Sequence, residues 1–171
     1  PGPQRSDFNP STGAGMTEKT RHYGKYRGVV LTNIDPMQMG RIQVQVPDVL
    51  GPTLSSWAMP CVPFAGIQSG VFVTPQIGAG VWVEFEQGDA DYPIWVGGFW
   101  GSAAEVPALA LAGLPVSPSI VLQTGNQNTL MISDLPGPAG GIMLKHMTGA
   151  MISISEIGIT ISNGQGATIM L

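Results

Sequence analysis

The chain has 171 residues, of which 11% are charged, and it contains 24 glycines and 15 prolines. This composition is too apolar for a disordered chain and too rich in turn residues for a helical one. No apolar run reaches the roughly 18 residues that a membrane-spanning helix requires. A single cysteine, Cys61, excludes an internal disulfide and leaves the redox compartment open; its apolar neighbourhood predicts a buried, inert thiol.

Charge divides the chain into a basic front and an acidic body. Residues 1–41 hold six basic and three acidic residues, whereas residues 42–171 hold one basic and eight acidic residues. This asymmetry indicates an oriented docking surface, although ordinary solvated charge gives the same pattern. Residues 1–22 are rich in Pro, Gly, Ser and Thr and predict a flexible arm. The arm lacks the basic-then-apolar layout of a signal peptide, so we expect synthesis in the cytoplasm.

Residues 23–101 predict a first, all-β domain. A tight acidic turn joins two alternating apolar strands between Gly78 and Gly101, and Trp82 and Trp95 give this hairpin a large apolar surface. Five or six short antiparallel strands in so short a segment favour a small closed barrel. The strands are expected at Tyr26–Ile34, Arg41–Val46, Trp57–Val62, Gly70–Thr74, Gly80–Glu86 and Ile94–Phe99.

Residues 102–119 are rich in Ala and Pro and predict a linker, with room for one short helix around Ala108–Ala112. Residues 120–171 then alternate in five-residue strands separated by Gly or Asn. These strands are expected at Ile120–Thr124, Thr129–Ser133, Gly141–Lys145, Met151–Ser155, Ile157–Ser162 and Ala167–Leu171.

The second strand array offers only two or three apolar residues per strand, too few to enclose a core within one chain. An oligomer in which one face of each strand points to a common axis solves this problem. The sequence therefore predicts a trimer-axis core of Ile142, Leu144, Ile152, Ile154, Ile159, Ile161, Ile169 and Leu171. Because the last expected strand reaches Leu171, we expect further residues or a tip-capping partner beyond it.

Several motifs of the first domain resemble one known family. The motifs are Gly40 followed by RIQVQVP, then SWA at residues 56–58, FVTP at 72–75, and VEFEQGD through YPIWVG at residues 83–97. They resemble the oligonucleotide/oligosaccharide-binding (OB) domain of the central spike family, which includes phage baseplate spikes and the VgrG proteins of type VI secretion. The resemblance implies structural roles for Gly40, Pro47, Trp57, Gly80, Glu84, Gly88, Asp89, Pro93 and Gly97.

The second strand array resembles the opening of the same family's trimeric intertwined β-helix, through NTL at residues 128–130, GIMLK at 141–145 and GITI at 158–161. The resemblance implies an all-β homotrimer with an N-terminal OB-fold barrel and a β-helical needle. It implies a non-enzymatic spike of a virion tail or injection particle that seats on a separate hub protein and pierces a target membrane. The family's apex metal site uses paired histidines, whereas His22 and His146 are far apart, so no metal or cofactor is expected.

Sequence signals for other functions are weaker. Glu84 and Glu86 share a strand face and could suggest acid/base catalysis, and Asp89 and Asp91 could bind Ca²⁺, but solvated strand residues and turn formation explain them. His146 is expected on the surface. An OB protein that binds single-stranded nucleic acid needs a basic groove, which the acidic body lacks. A receptor- or glycan-binding tail fibre remains the alternative, although no Phe, Trp or Tyr follows Trp100.

Overall fold

The computed structural model describes residues 19–112 and 119–171. These residues form two large β-sheets in chain order, one between residues 26 and 99 and one between residues 119 and 170, and one two-stranded hairpin between residues 65 and 70. Residues 1–18 of the expected arm and residues 113–118 of the expected linker lie outside the described residues.

The first sheet has five strands, which in spatial order are β2 (Gln43–Gln45), β1 (Tyr26–Thr32), β6 (Gly80–Phe85), β7 (Pro93–Phe99) and β3 (Met59–Pro60). Residues flanking its two edge strands also pair, because the amide and carbonyl groups of Ile42 and Ala58 exchange hydrogen bonds. The sheet is therefore strongly curved, as an OB fold requires. A separate hairpin consists of β4 (Ala65–Gly66) and β5 (Ser69–Gly70).

The inner face of this curved sheet forms the hydrophobic core. Burial alternates along β6, where Val81, Val83 and Phe85 face inward while Trp82 and Glu84 face outward. This alternation follows from the two-residue repeat of an extended strand. The fully or nearly fully buried apolar residues are Val30, Ile42, Val44, Val46, Ala58, Val81, Val83, Phe85 and Trp95.

Two features of this domain differ from the sequence expectation. β3 runs parallel to β7, not antiparallel, because helix α1 (Pro47–Leu50) reverses the chain after β2 and residues 54–58 then run back antiparallel to β2, in the direction of β7. The strand expected at Gly70–Thr74 is reduced to β5. Beyond Val71 the segment leaves the hairpin, and the carbonyl of Pro75 accepts a hydrogen bond from Asn33 at 2.9 Å.

The second sheet, which we call the ladder, is a simple meander in which each strand is antiparallel to the one before it. Short turns join consecutive strands, as the Gly and Asn positions in the sequence predict. Its strands are β8 (Ser119–Gln123), β9 (Thr129–Ser133), β10 (Gly141–Lys145), β11 (Met151–Ser155), β12 (Gly158–Ser162) and β13 (Thr168–Met170). Helix α2 (Ala108–Leu111) precedes it, where the sequence allowed one short helix.

Both α-helices contain only four residues. Within residues 19–112 and 119–171, no helix is long and apolar enough to cross a bilayer.

Candidate oligomerisation site

Strand register in the ladder aligns its apolar side chains into two uninterrupted rows, which we call the Ile/Leu columns. Each strand contributes one residue to each column, because alternate residues of a strand share a face; Leu171, directly after the last strand, completes the first column. The first column contains Ile120, Ile132, Ile142, Ile154, Ile159 and Leu171, and the second contains Leu122, Leu130, Leu144, Ile152, Ile161 and Ile169.

The Ile/Leu columns are open to solvent in the single chain. Ile120 is 63% exposed, and even Ile159, on a central strand, is 39% exposed, whereas Val30 and Val81 of the first sheet are fully buried. A contiguous apolar surface of this kind marks a protein interaction site. The columns therefore require a partner surface to become a core.

The opposite face of the ladder is more polar and, on average, less exposed. Its central row runs Val121, Met131, Met143, Ser153, Thr160 and Met170. Near the start of the ladder, α2 and the turn at residues 137–139 cover this face and enclose a cavity of about 270 Å³. The covered face thus lies away from the open columns, so the two faces of the sheet have different roles.

Side-chain hydrogen bonds link successive turns of the ladder. The Asn128 side-chain oxygen accepts a hydrogen bond from the amide of Met147 at 3.0 Å, and the Glu156 carboxylate accepts one from the amide of Gly137 at 2.9 Å. In the last turn, Asn163 accepts hydrogen bonds from two backbone amides. These contacts hold the strand ends in register, so the columns keep their alignment.

At the end of the first sheet farther from the ladder, the end of the arm lies against the turn at residues 86–92, which we call the acidic turn. Lys19 forms ion pairs with Asp89 and with Asp91, the latter at 2.7 Å, and the amide of His22 donates to the carbonyl of Gly88. The hydrogen bond from Lys19 lowers the pKa of Asp89. Asp89 also accepts a hydrogen bond from the amide of Asp91, as turn formation predicts.

Asp35 organises the loop between β1 and β2. Its carboxylate accepts hydrogen bonds from the backbone amides of Met37, Met39 and Arg41 and from the Arg41 guanidinium, at 2.6 Å to one oxygen. The hydrogen bond from Arg41 holds the pKa of Asp35 well below its usual range. The guanidinium of Arg41 lies 5.3 Å from the ring centre of Trp57. The sequence marked this loop only as a turn, although an Asp at its first position is a known signal for side-chain capping.

Several OB-motif residues have clear local roles. The carbonyl of Gly40 accepts a hydrogen bond from the indole of buried Trp95 at 3.2 Å. Pro47 occupies the first turn of α1, and Pro93 is fully buried at the start of β7. Glu84 forms an ion pair with Lys25 on the outer surface, whereas Glu86 lies beyond the end of β6, in the turn that follows it, and not on the same strand as expected.

Glycine is present at positions 80, 88 and 97 for different structural reasons. The Phe99 ring covers Gly80, so a Cβ atom there would lie 2.7 Å from the ring. Gly88 has a φ of 76°, which other residues rarely adopt. Gly97 lies beside an irregularity in the β6–β7 register.

The structure agrees with the sequence expectation for some of the remaining candidate residues and disagrees for Cys61. Cys61 is exposed, contrary to the expectation of a buried thiol, because it follows the short edge strand β3 at the surface. His146 is exposed and contacts Thr148 through its imidazole at 2.8 Å. All eight residues expected at the trimer axis lie in the Ile/Leu columns, whereas Ile120, Leu122, Leu130 and Ile132 complete the columns and were not selected from the sequence.

Comparison with known families shows which class of protein has this arrangement of two sheets. Residues 26–100 match the family model of the type VI secretion system/phage-baseplate injector OB domain, and residues 119–171 match that of the phage baseplate V C-terminal trimerisation domain. No curated protein sequence matches the chain. The two matched regions coincide with the two sheets, which defines a structural baseplate component.

The chain belongs to the baseplate spike family of phages and type VI secretion systems. Its C-terminal trimerisation domain supports a homotrimer, and the family suggests a location in a tail or injection particle.

Proposed function

We propose that three copies of the chain form a structural needle at the tip of a contractile injection apparatus. The observation that supports this proposal is the pair of Ile/Leu columns, in which every side chain except the half-buried Leu130 is exposed in one chain. With a strand spacing of about 4.8 Å, six strands give a column about 24 Å long. Three ladders with their columns turned toward a common axis bury all of this apolar surface.

The intertwined form of the needle follows from sheet twist. β-Sheets have a fixed handed twist, so three long ladders in contact wind around one another along their axis. Separation of the chains then exposes both columns of every ladder at once. We therefore expect the trimer to dissociate and unfold slowly, so that the needle is kinetically stable. Such a needle resists bending and suits a protein that is pushed through a target envelope.

The two ends of the OB domain suggest the orientation of the spike. β7 ends at Phe99 and leads on to the ladder, whereas the acidic turn and the arm lie at the opposite end of β6 and β7. We propose that the end with the arm faces a separate hub protein of the baseplate. The ladder then extends toward the target membrane, and a tip-capping protein binds at its far end.

The mass of the purified protein in solution tests this proposal most directly. Light scattering should give three times the chain mass of 17.9 kDa, and electron micrographs should show a short rod with a wider collar. Boiling should be required before the protein migrates as a single chain in detergent gels. A purified full chain that is monomeric at micromolar concentration would contradict the needle.

A further inference from the structure

A continuous uncharged surface projects from the OB domain. No Asp, Glu, Lys, Arg or His occurs between Asp48 and Glu84, and within this stretch residues 59–74 form what we call the neutral lobe. The β4–β5 hairpin is its tip, where Ile67 is 98% exposed. Phe64, Phe72 and Val73 of the same lobe are also exposed. Large apolar side chains gathered on one projecting segment indicate a protein contact.

The same domain has a cleft that could receive such a projection. Ile77, Phe99 and Trp100 line it, and glycines at 78, 80 and 98 leave its floor without side chains. Among the described residues, its one charged lining residue is Glu105, whose carboxylate accepts a hydrogen bond from the amide of Gly101. The cleft has a volume of about 630 Å³, and Trp100 at its rim is 62% exposed. Exposed aromatic residues around a recess are typical anchors of protein interfaces. No residue of the neutral lobe lines this cleft within the same chain.

Both features lie toward the ladder end of the OB domain. β3 runs parallel to β7, so the chain that leads into the neutral lobe runs in the direction of Phe99. The cleft is beside the first turn of the ladder, since the side chain of Gln76 lies against the backbone of Gly125. Three ladders held at one axis would therefore bring three lobes and three clefts together.

Charge favours a second copy of the chain as the occupant. Each chain has a formal net charge of −4, so like-charge repulsion between identical surfaces of two copies is weakest where those surfaces carry no charge. The neutral lobe is such a surface. Tethering through the ladder also gives neighbouring OB domains an effective concentration on the order of millimolar. A projection that enters a recess elsewhere on the next copy closes into a ring under threefold symmetry.

We propose that the neutral lobe of each protomer docks, through Ile67 at its tip, into the cleft of the next protomer and closes a collar of three OB domains. This inference rests on the proposed trimer. It adds a protomer contact outside the ladder that fixes how the OB domains are arranged around the axis.

Disulfide trapping tests the contact. In a Cys61→Ser background, the double variant Ile67→Cys/Trp100→Cys should form a covalent trimer under mild oxidation, because each lobe is linked to the next cleft. The band should persist on dilution of the trimer before oxidation. The matched control is Ile67→Cys/Tyr92→Cys, since Tyr92 is also 62% exposed but lies in the acidic turn at the other end of the domain. The control should remain uncrosslinked.

The outcomes separate the collar from the trimer itself. Light scattering is recorded on each variant before oxidation. A trimer in which Ile67→Cys/Trp100→Cys forms no interchain disulfide overturns the collar contact and leaves the needle intact. A trimer in which Ile67→Cys alone crosslinks to itself also overturns it, because the lobes would then meet at the axis. A monomer overturns the needle and the collar together.

Discussion

Ile142 and Ile154 lie directly opposite each other on β10 and β11, and both side chains belong to the first Ile/Leu column. Neither is covered within its own chain, since Ile142 is exposed and Ile154 is 48% exposed. A residue that pairs well with its cross-strand neighbour yet lacks a covering layer is positioned for burial between chains.

The first prediction concerns this position. Ile154→Asp should abolish trimer formation, because three carboxylates would be buried near one axis without partners. Each buried unpaired charge costs on the order of several kcal/mol, so we expect loss of assembly at micromolar concentration. Light scattering on the purified variant gives the mass directly.

The control for that variant is Thr160→Asp, which places the same charge on the next strand but on the opposite face of the ladder. It should assemble as the wild type does. If Ile154→Asp forms normal trimers, the Ile/Leu columns do not face the axis.

The second prediction concerns Asp35, whose folded-state pKa is lowered by its hydrogen bond with Arg41. A lowered pKa means that the stabilisation is present above the unfolded value near 3.9 and is lost as pH falls below it. Asp35→Asn should therefore lower the melting temperature by several degrees at pH 7. The difference from wild type should shrink below pH 4. Melting curves between pH 7 and pH 2 check this, and a pH-independent difference would show that the carboxylate charge is unimportant.

Alternation explains why the ladder could be predicted from sequence. Ile152 and Ile154, or Ile159 and Ile161, stand two residues apart between Gly-containing turns, so strand, face and approximate ends follow from local pattern alone. The strand ends shift by only one or two residues in the structure, as at β8 and β13. Completing the columns with Leu130 required the cross-strand register, which the sequence does not state.

The topology of the OB domain is harder to predict from sequence, because the contacts that determine it join residues far apart in the chain. The pairing of β3 with β7 joins Met59 to Ile94, and no spacing rule gives the parallel direction of that pairing. The contact of Lys19 with Asp89 joins residues 70 positions apart. The sequence identified both charges, but only the folded chain brings them together.

The third prediction concerns the hydrogen bond between Trp95 and the carbonyl of Gly40. Trp95→Phe keeps an aromatic ring in the core but leaves this buried carbonyl without its donor, which costs about 1–3 kcal/mol. Thermal melting followed by fluorescence should therefore show a less stable OB domain. Trp82→Phe, which changes a half-exposed indole on the outer face, should have a smaller effect. Equal effects of the two variants would assign the loss to ring size alone.

The fourth prediction concerns the arm, which ion pairs attach to the acidic turn. Asp89→Asn keeps the hydrogen-bonding shape of the turn but removes the charge that Arg21 contacts and one of the two charges that Lys19 contacts. Trypsin should then cleave after Lys19 and Arg21 severalfold faster, because the segment leaves the surface more often. Raising the salt to 1 M should have the same effect on the wild type, since screening acts within about 3 Å at that concentration. Asp48→Asn removes a charge elsewhere and should leave the cleavage rate unchanged. Equal rates for Asp89→Asn and wild type would show that the remaining contacts, the ion pair of Lys19 with Asp91 and the hydrogen bond between His22 and Gly88, hold the arm without Asp89.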